Sequence, residues 1–196
     1  MSRQRRNRKE EILQTAAEQF ALHGYHGATL SKIAEAVGLT EPGLLHYFPN
    51  KEQLLQEVLD YRDQQDLAKY QALLEDKHAL LFEVLQDLVG ANQRKPGLVQ
   101  LFTVMVGESI NPTHPSHDFF VNRYQIVKDM MIKYLQAYCK QEGLRENVDL
   151  TQLTVLIIAI MDGLQIQWLL DPENFEMTAA FRLFTKMMQA YLGDKV

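Results

Sequence analysis

The sequence predicts an all-α protein of about nine helices, a short three-helix head followed by six longer helices, and three observations carry that expectation. Apolar residues recur three and four apart along nearly the whole chain, whereas the alternation of a half-buried strand is almost absent. Caps and breakers fall between the periodic stretches: Thr29, Thr40 and Asn50 where helices open, Gly24 and Gly38 where they close, and Pro96, Pro112, Pro115 and Pro172 in or beside the later breaks. With 46% hydrophobic and 23% charged residues over 196 positions, the composition is that of a globular chain long enough for a small module plus a helical domain.

The first helix spans Glu10 to His23, where Ile12, Leu13, Ala16, Ala17, Phe20 and Ala21 share one stripe and Gly24 provides the stop. Ahead of it, residues 1–9 hold five Arg or Lys and no acid, which fits a flexible basic arm lying along phosphates. Thr29 caps a second, short helix in which Leu30, Ile33, Ala34 and Val37 repeat at helical spacing up to Gly38. Thr40 caps a third, which tolerates Pro42 in its first turn, turns Leu44, Leu45 and Phe48 inward or sideways, and breaks at Pro49. Two short helices joined by the turn Gly38-Leu39-Thr40, with a helix in front to cover their apolar backs, form a helix-turn-helix module.

The longer helices are expected at 51–74, capped by Asn50, and then at 78–94, 97–110, 117–141, 149–170 and 174–192. The chain therefore divides into a head, residues 1–50, and a helical domain, residues 51–196. Charge is polarised in the same way. Residues 1–51 carry seven basic and five acidic groups, and the remainder carries thirteen basic and twenty acidic ones, so any polyanion must meet the head.

The stretch ATLSKIAEAVGLTEPGLLHYFPNKEQLL closely resembles the DNA-binding domain of TetR-type bacterial repressors, with its capped second helix, Gly turn, Tyr-Phe pair (Tyr47 and Phe48) and Lys51 opening helix four. The resemblance covers roughly residues 8–55. The later helices, ending in MDGLQIQWLLDP and a final amphipathic helix, look like the family's second domain. The resemblance implies a ligand-responsive transcriptional repressor that binds a palindromic double-stranded DNA operator as a homodimer and leaves it when a small-molecule effector binds.

In such a head the N-terminal end of the third helix reaches base edges while flanking residues hold phosphates. Gly43 lets the backbone approach the bases, Pro42 could pack on a thymine methyl, Glu41 could accept from a cytosine amino group, and Thr40 or His46 could bond a base or a phosphate. Tyr47 and Lys51 suit phosphates, as do Thr29, Ser31 and Lys32 around the second helix. Thr29 and Thr40 are needed as caps in any case. One departure stands out: the family commonly carries a tyrosine where this chain has Leu45, and leucine donates nothing to a phosphate.

The last two helices are apolar over a wide arc, and a helix of that kind must bury two faces. Leu153, Ile157, Ile160, Met161, Leu164 and Trp168, with Phe181, Phe184 and Met188, are therefore expected in a four-helix interface between two copies, an arrangement the resemblance also implies. Gly163 would let backbones approach there. In the middle helices Phe82, Phe102, Met105, Glu108, Tyr124, Met130 and Tyr134 interleave apolar and polar chemistry as an effector pocket would, with Glu108 the leading polar candidate and core packing the alternative.

Other classes fit less well. No phosphate loop, nucleophile elbow or zinc-protease motif occurs, so neither an enzyme nor a bound cofactor is expected. His114 and His117 could in principle gather a metal with Glu108 or Asp118, but a polar loop is the commoner explanation, Pro115 argues against both lying on one regular helix, and no metal is expected. A lone cysteine, Cys139, excludes an intrachain disulfide, and a cytoplasmic setting is expected. The start MSRQRRNRKEE has no apolar core of a signal peptide, and Leu153 to Met161 is too short to span a membrane. A helical adaptor that binds only proteins is the remaining rival; it would lack salt-dependent DNA affinity.

Overall fold

The computed structural model describes residues 3–75, 81–143 and 148–193, with side chains except for residues 3–6 and 65–75. Among the described residues the chain forms nine helices and no strand: α1 (Arg3–Gly27), α2 (Leu30–Ala36), α3 (Glu41–Leu45), α4 (Lys51–Glu75), α5 (Leu81–Gln93), α6 (Pro96–Glu108), α7 (His117–Glu142), α8 (Leu150–Leu170) and α9 (Met177–Gly193). The order and the breaks follow the caps, glycines and prolines of the sequence. Residues 78–80 of the expected fifth helix lie outside the described residues, as do the side chains of Arg3, Arg5 and Arg6.

The expected flexible arm needs correction. Helix α1 begins at Arg3, because nothing in RQRRNRKEE breaks a helix and Glu11 pairs back one turn with Arg8. Arg8 pairs with Glu11 at 2.6 Å and also donates to the carbonyl of Val37, and Lys9 pairs with Glu57. Those two cations are thus engaged within the protein. The break at Gly24 is present, with φ 68° and ψ 178° inside the α1 span, a left-handed backbone that glycine adopts without a Cβ penalty.

Packing groups the chain into two compact units, Met1–Leu67 with Gly97–Phe120, and Ala68–Pro96 with Val121–Val196. In the first, Ile12, Ala16 and Phe20 of α1 are buried, as are Ile33 and Ala34 of α2, Leu44 of α3, Phe48, and Leu54, Leu55, Val58 and Leu59 of α4. Each large side chain buried in this way contributes roughly 1.5–3 kcal/mol. In the second unit α9 packs on α5 and on α8, and a bond from Gln86 Nε2 to Thr185 Oγ1 at 2.8 Å ties α5 to α9. Asp149 caps α8 by accepting the amides of Thr151 and Gln152.

Helix α8 overturns the expectation about apolar length. Its 21 residues contain one charge, Asp162, and it is long and apolar enough, by length and composition, to cross a membrane. One of its faces is nevertheless core, with Leu153, Thr154, Ile157 and Trp168 buried.

Candidate nucleic-acid interface

The head is built by short-range capping. Thr29 is extended at φ −122° and accepts the Lys32 amide at 3.3 Å, which starts α2 with Ile33 and Ala34 facing the core. Gly38, at φ 67°, turns the chain, and the Leu39 amide returns to the carbonyl of Ala34 at 2.8 Å. Thr40 then accepts the Gly43 amide at 3.2 Å and starts α3 with Pro42 in its first turn. A Cβ on residue 43 would stand 3.2 Å from Thr40 Oγ1, so glycine there also leaves room for the cap. Asn50 accepts the Gln53 amide at 2.7 Å and starts α4 at Lys51.

With their apolar faces spent on the core, these helices leave Thr29, Ser31, Lys32, Thr40, Glu41, Pro42 and His46 exposed, and Gly43, Tyr47 and Lys51 half-exposed. The candidate DNA-contacting residues therefore lie at the surface of a fixed scaffold. Leu45, at the position of the departure, is half-buried. The Lys51 ammonium rests over the Tyr25 ring, 4.6 Å from its centroid. Burial pushes the Lys51 amine down, opposed by the field of Glu108.

Glu108 is placed differently from its expected role. Its carboxylate accepts the Tyr25 amide at 2.8 Å and lies 3.4 Å from Nε2 of buried His114, all within the first unit, so it serves the head's own architecture. Phe102 and Met105 belong to that unit too: Phe102 meets Phe120 edge to face at 5.8 Å, and Met105 is fully buried. Phe82, Tyr124, Met130 and Tyr134 belong to the second. Phe82 is buried against Tyr138, which makes it core, while Met130 and Tyr134 are half-exposed. Helical periodicity marks which residues face inward without saying into which unit.

One partner was missed by reading the sequence. The Tyr124 hydroxyl donates to Asp162 Oδ2 at 2.7 Å, joining α7 to α8. Burial first, then the neighbouring carboxylate, drives the Tyr124 phenol far up. Burial raises the Asp162 carboxyl as well, opposed by the tyrosine bond and by Arg123. The signal was present in the sequence: Asp162 is the lone charge in an apolar helix.

The expected interface residues also divide. Leu153, Ile157 and Trp168 of α8 and Phe181 and Met188 of α9 are buried inside the single chain, so their apolar surface is already spent on its own core rather than left for an interface. Ile160 is exposed, and Met161, Leu164 and Phe184 are half-exposed. Leu156, Met187 and Tyr191, which belong to the same wide apolar arcs in the sequence, are exposed as well, together with Val155, Ile166, Leu170 and Leu183. A Cβ on Gly163, amid this surface, would meet nothing within 4 Å. His114 and His117 turn to local partners, His114 to Ser109 and Ser116 and His117 to the Ser109 carbonyl, and no metal-holding group of three ligands occurs among the described residues.

Residues 12–58 match the model of the bacterial regulatory proteins of the tetR family, and residues 77–193 match that of the C-terminal part of BetI-type transcriptional repressors. The chain belongs to the TetR family. It is accordingly a DNA-binding transcriptional regulator, and regulators of this family act by binding rather than by catalysis. The TetR-family relatives include the HTH-type transcriptional repressor AcnR of Corynebacterium diphtheriae, 24% identical over 80% of this chain and 78% of its own. The nucleoid occlusion factor SlmA of Sodalis glossinidius is 24% identical over 96% of both chains. Among solved structures, a TetR regulator from Chloroflexus aurantiacus superposes with a TM-score of 0.81 at 21% identity, over 96% of this chain and 97% of that one. A transcriptional regulator from Saccharomonospora viridis, in complex with choline, gives 0.80 at 21% identity over 95% and 98%. SmeT in complex with triclosan gives 0.79 at 18% identity over 96% and 93%.

Proposed function

We propose that this TetR-family regulator is a cytoplasmic, ligand-responsive repressor that binds a palindromic operator as a homodimer and is released by a small-molecule effector. The observation that carries the reading is the presence, in one chain, of a capped reading helix with exposed polar side chains and of an exposed apolar surface on α8 and α9. A surface of that kind is what a symmetric four-helix interface covers. Residues 1–50 act as the reading head and residues 51–196 as the sensing and dimerising part. Glu41, Pro42 and Gly43 meet base edges, with Thr40 and His46 beside them, while Lys51, Tyr47, Ser31, Lys32 and Thr29 meet phosphates.

Release is a population shift: effector and operator favour different spacings of two heads that must reach successive major grooves about 34 Å apart. To weaken the operator complex 100-fold, the effector must bind the released form about 2.7 kcal/mol more tightly. Helix α4 is the lever, since it begins at Lys51 and continues from the first unit into the second. Tyr124 and Asp162 orient the effector, and a half-buried carboxylate favours a basic or cationic molecule, consistent with the choline in the complex of the Saccharomonospora viridis regulator.

The test is selection of binding sites from a random duplex pool, followed by competition with choline and with triclosan. A two-fold-related site bound by a dimer, with affinity falling steeply as salt rises, is the expected result. Enrichment of a single half-site by a monomer would refute the dimeric reading, and salt-insensitive or absent binding would refute the repressor.

A further inference from the structure

The corner between the two parts of α1 is held by a residue far away in sequence. Gly24 has a left-handed backbone, and a Cβ there would overlap the Glu108 carboxylate, so the carboxylate fills space that only glycine leaves. From that seat Glu108 Oε2 accepts the Tyr25 amide at 2.8 Å. The Tyr25 ring is shared by two neighbours, His114 edge to face at 5.2 Å and the Lys51 ammonium at 4.6 Å. His114 is itself oriented: Nδ1 accepts the Ser116 amide at 3.3 Å, which leaves the proton of a neutral imidazole on Nε2, facing Glu108 Oε2 at 3.4 Å. The bond from the Tyr25 amide to this carboxylate fixes the tyrosine that carries the lysine.

We infer that Glu108 is a positioning residue for DNA binding: by holding Tyr25 at the Gly24 corner it sets the ring under the Lys51 ammonium and so places that ammonium for a phosphate. The inference rests on the assignment of Lys51 to a phosphate under the proposed function. An ammonium on a four-carbon stem is otherwise free to sample many rotamers, and a fixed aromatic face confines it while leaving its charge available.

A double-mutant cycle tests this on the full chain, with the duplex selected from the random pool as the probe. Glu108→Ala should weaken binding about tenfold and lower the salt slope towards that of Lys51→Ala, while adding no further loss in the Lys51→Ala background. Glu108→Gln, whose carbonyl still accepts the Tyr25 amide, should bind within about twofold of the parent. Equal losses in both backgrounds would make Glu108 a mere structural prop and overturn the inference, as would an Ala variant that binds like the parent. Should Glu108→Ala fail to fold, Glu108→Asp, one methylene too short to reach the amide, runs the same cycle. A parent protein that binds no duplex would instead overturn the repressor reading, and this inference with it.

Discussion

The head and the α8–α9 pair treat apolar surface in opposite ways. Between α1 and the start of α4 the large apolar side chains are buried or half-buried, Leu22 excepted, and the outward positions carry Thr, Ser, Lys, Glu and His. On α8 and α9, side chains as large as Leu156, Leu170, Leu183 and Met187 stand more than half exposed, at 57%, 81%, 62% and 62%. A head of this kind is finished within one chain and needs only a polyanion to act on. A helical pair that exposes so much apolar surface is unfinished, and covering the exposed part of Leu156 or Met187 yields roughly 1–2 kcal/mol each. Under the proposed function, the contrast separates what reads DNA from what couples two readers.

The largest expected effect breaks that contrast on the apolar side. Leu156→Glu combined with Met187→Glu should leave the monomer fold intact, since both side chains already face outward, and should halve the mass in solution. Operator affinity should fall by at least about 100-fold, or about 2.7 kcal/mol, because one head alone loses the second half-site. Light scattering and fluorescence anisotropy on the same samples check it; a monomer with the parent's affinity would contradict the dimeric reading.

The two regions also differ in how far they could be read from residues alone. Thr29, Thr40 and Asn50 each bond an amide three residues on, and Gly38 reverses the chain by its own backbone angle, so the determinants of the head lie within a few positions of each other. On α8 and α9, periodicity located the helices well but assigned faces wrongly, as Leu153, Ile157 and Phe181 show. Which face of a wide apolar arc meets its own chain depends on neighbours distant in sequence. The same limit hid the role of Glu108, whose partner Tyr25 lies 83 residues away.

Within the head, substitutions of next-largest effect should divide cleanly into two kinds. Lys51→Ala should weaken all duplexes about tenfold and reduce the magnitude of the salt slope by about 0.9, the loss of one phosphate contact. Glu41→Ala or Pro42→Ala should instead change the preferred bases at a few positions of the selected site, with little change in slope. Identical behaviour of the two kinds would show that the contacts are misassigned. Thr40→Ala acts on the scaffold beneath both: loss of the bond to the Gly43 amide should cost about 1 kcal/mol, read as a fall of about 2–4 °C in Tm.

The smallest effect concerns the single charge of α8. Burial raises the Asp162 carboxyl above its ordinary value, so the folded protein holds that proton more tightly than the unfolded chain does. The fold therefore loses stability as pH rises from the ordinary aspartate range of about 4 through the raised value, and the loss is complete above it. Asp162→Asn removes this ionisation while its amide oxygen still accepts the Tyr124 hydroxyl. The variant should melt slightly higher than the parent near neutral pH, by less than about 1 kcal/mol because Tyr124 and Arg123 already offset part of the desolvation, and the difference should vanish in acid. Thermal melts across pH 3–8 measure it. A variant less stable than the parent at neutral pH would mean that the charge itself holds α7 to α8, and Asp162 would then be a structural anchor rather than a carboxylate kept for an effector.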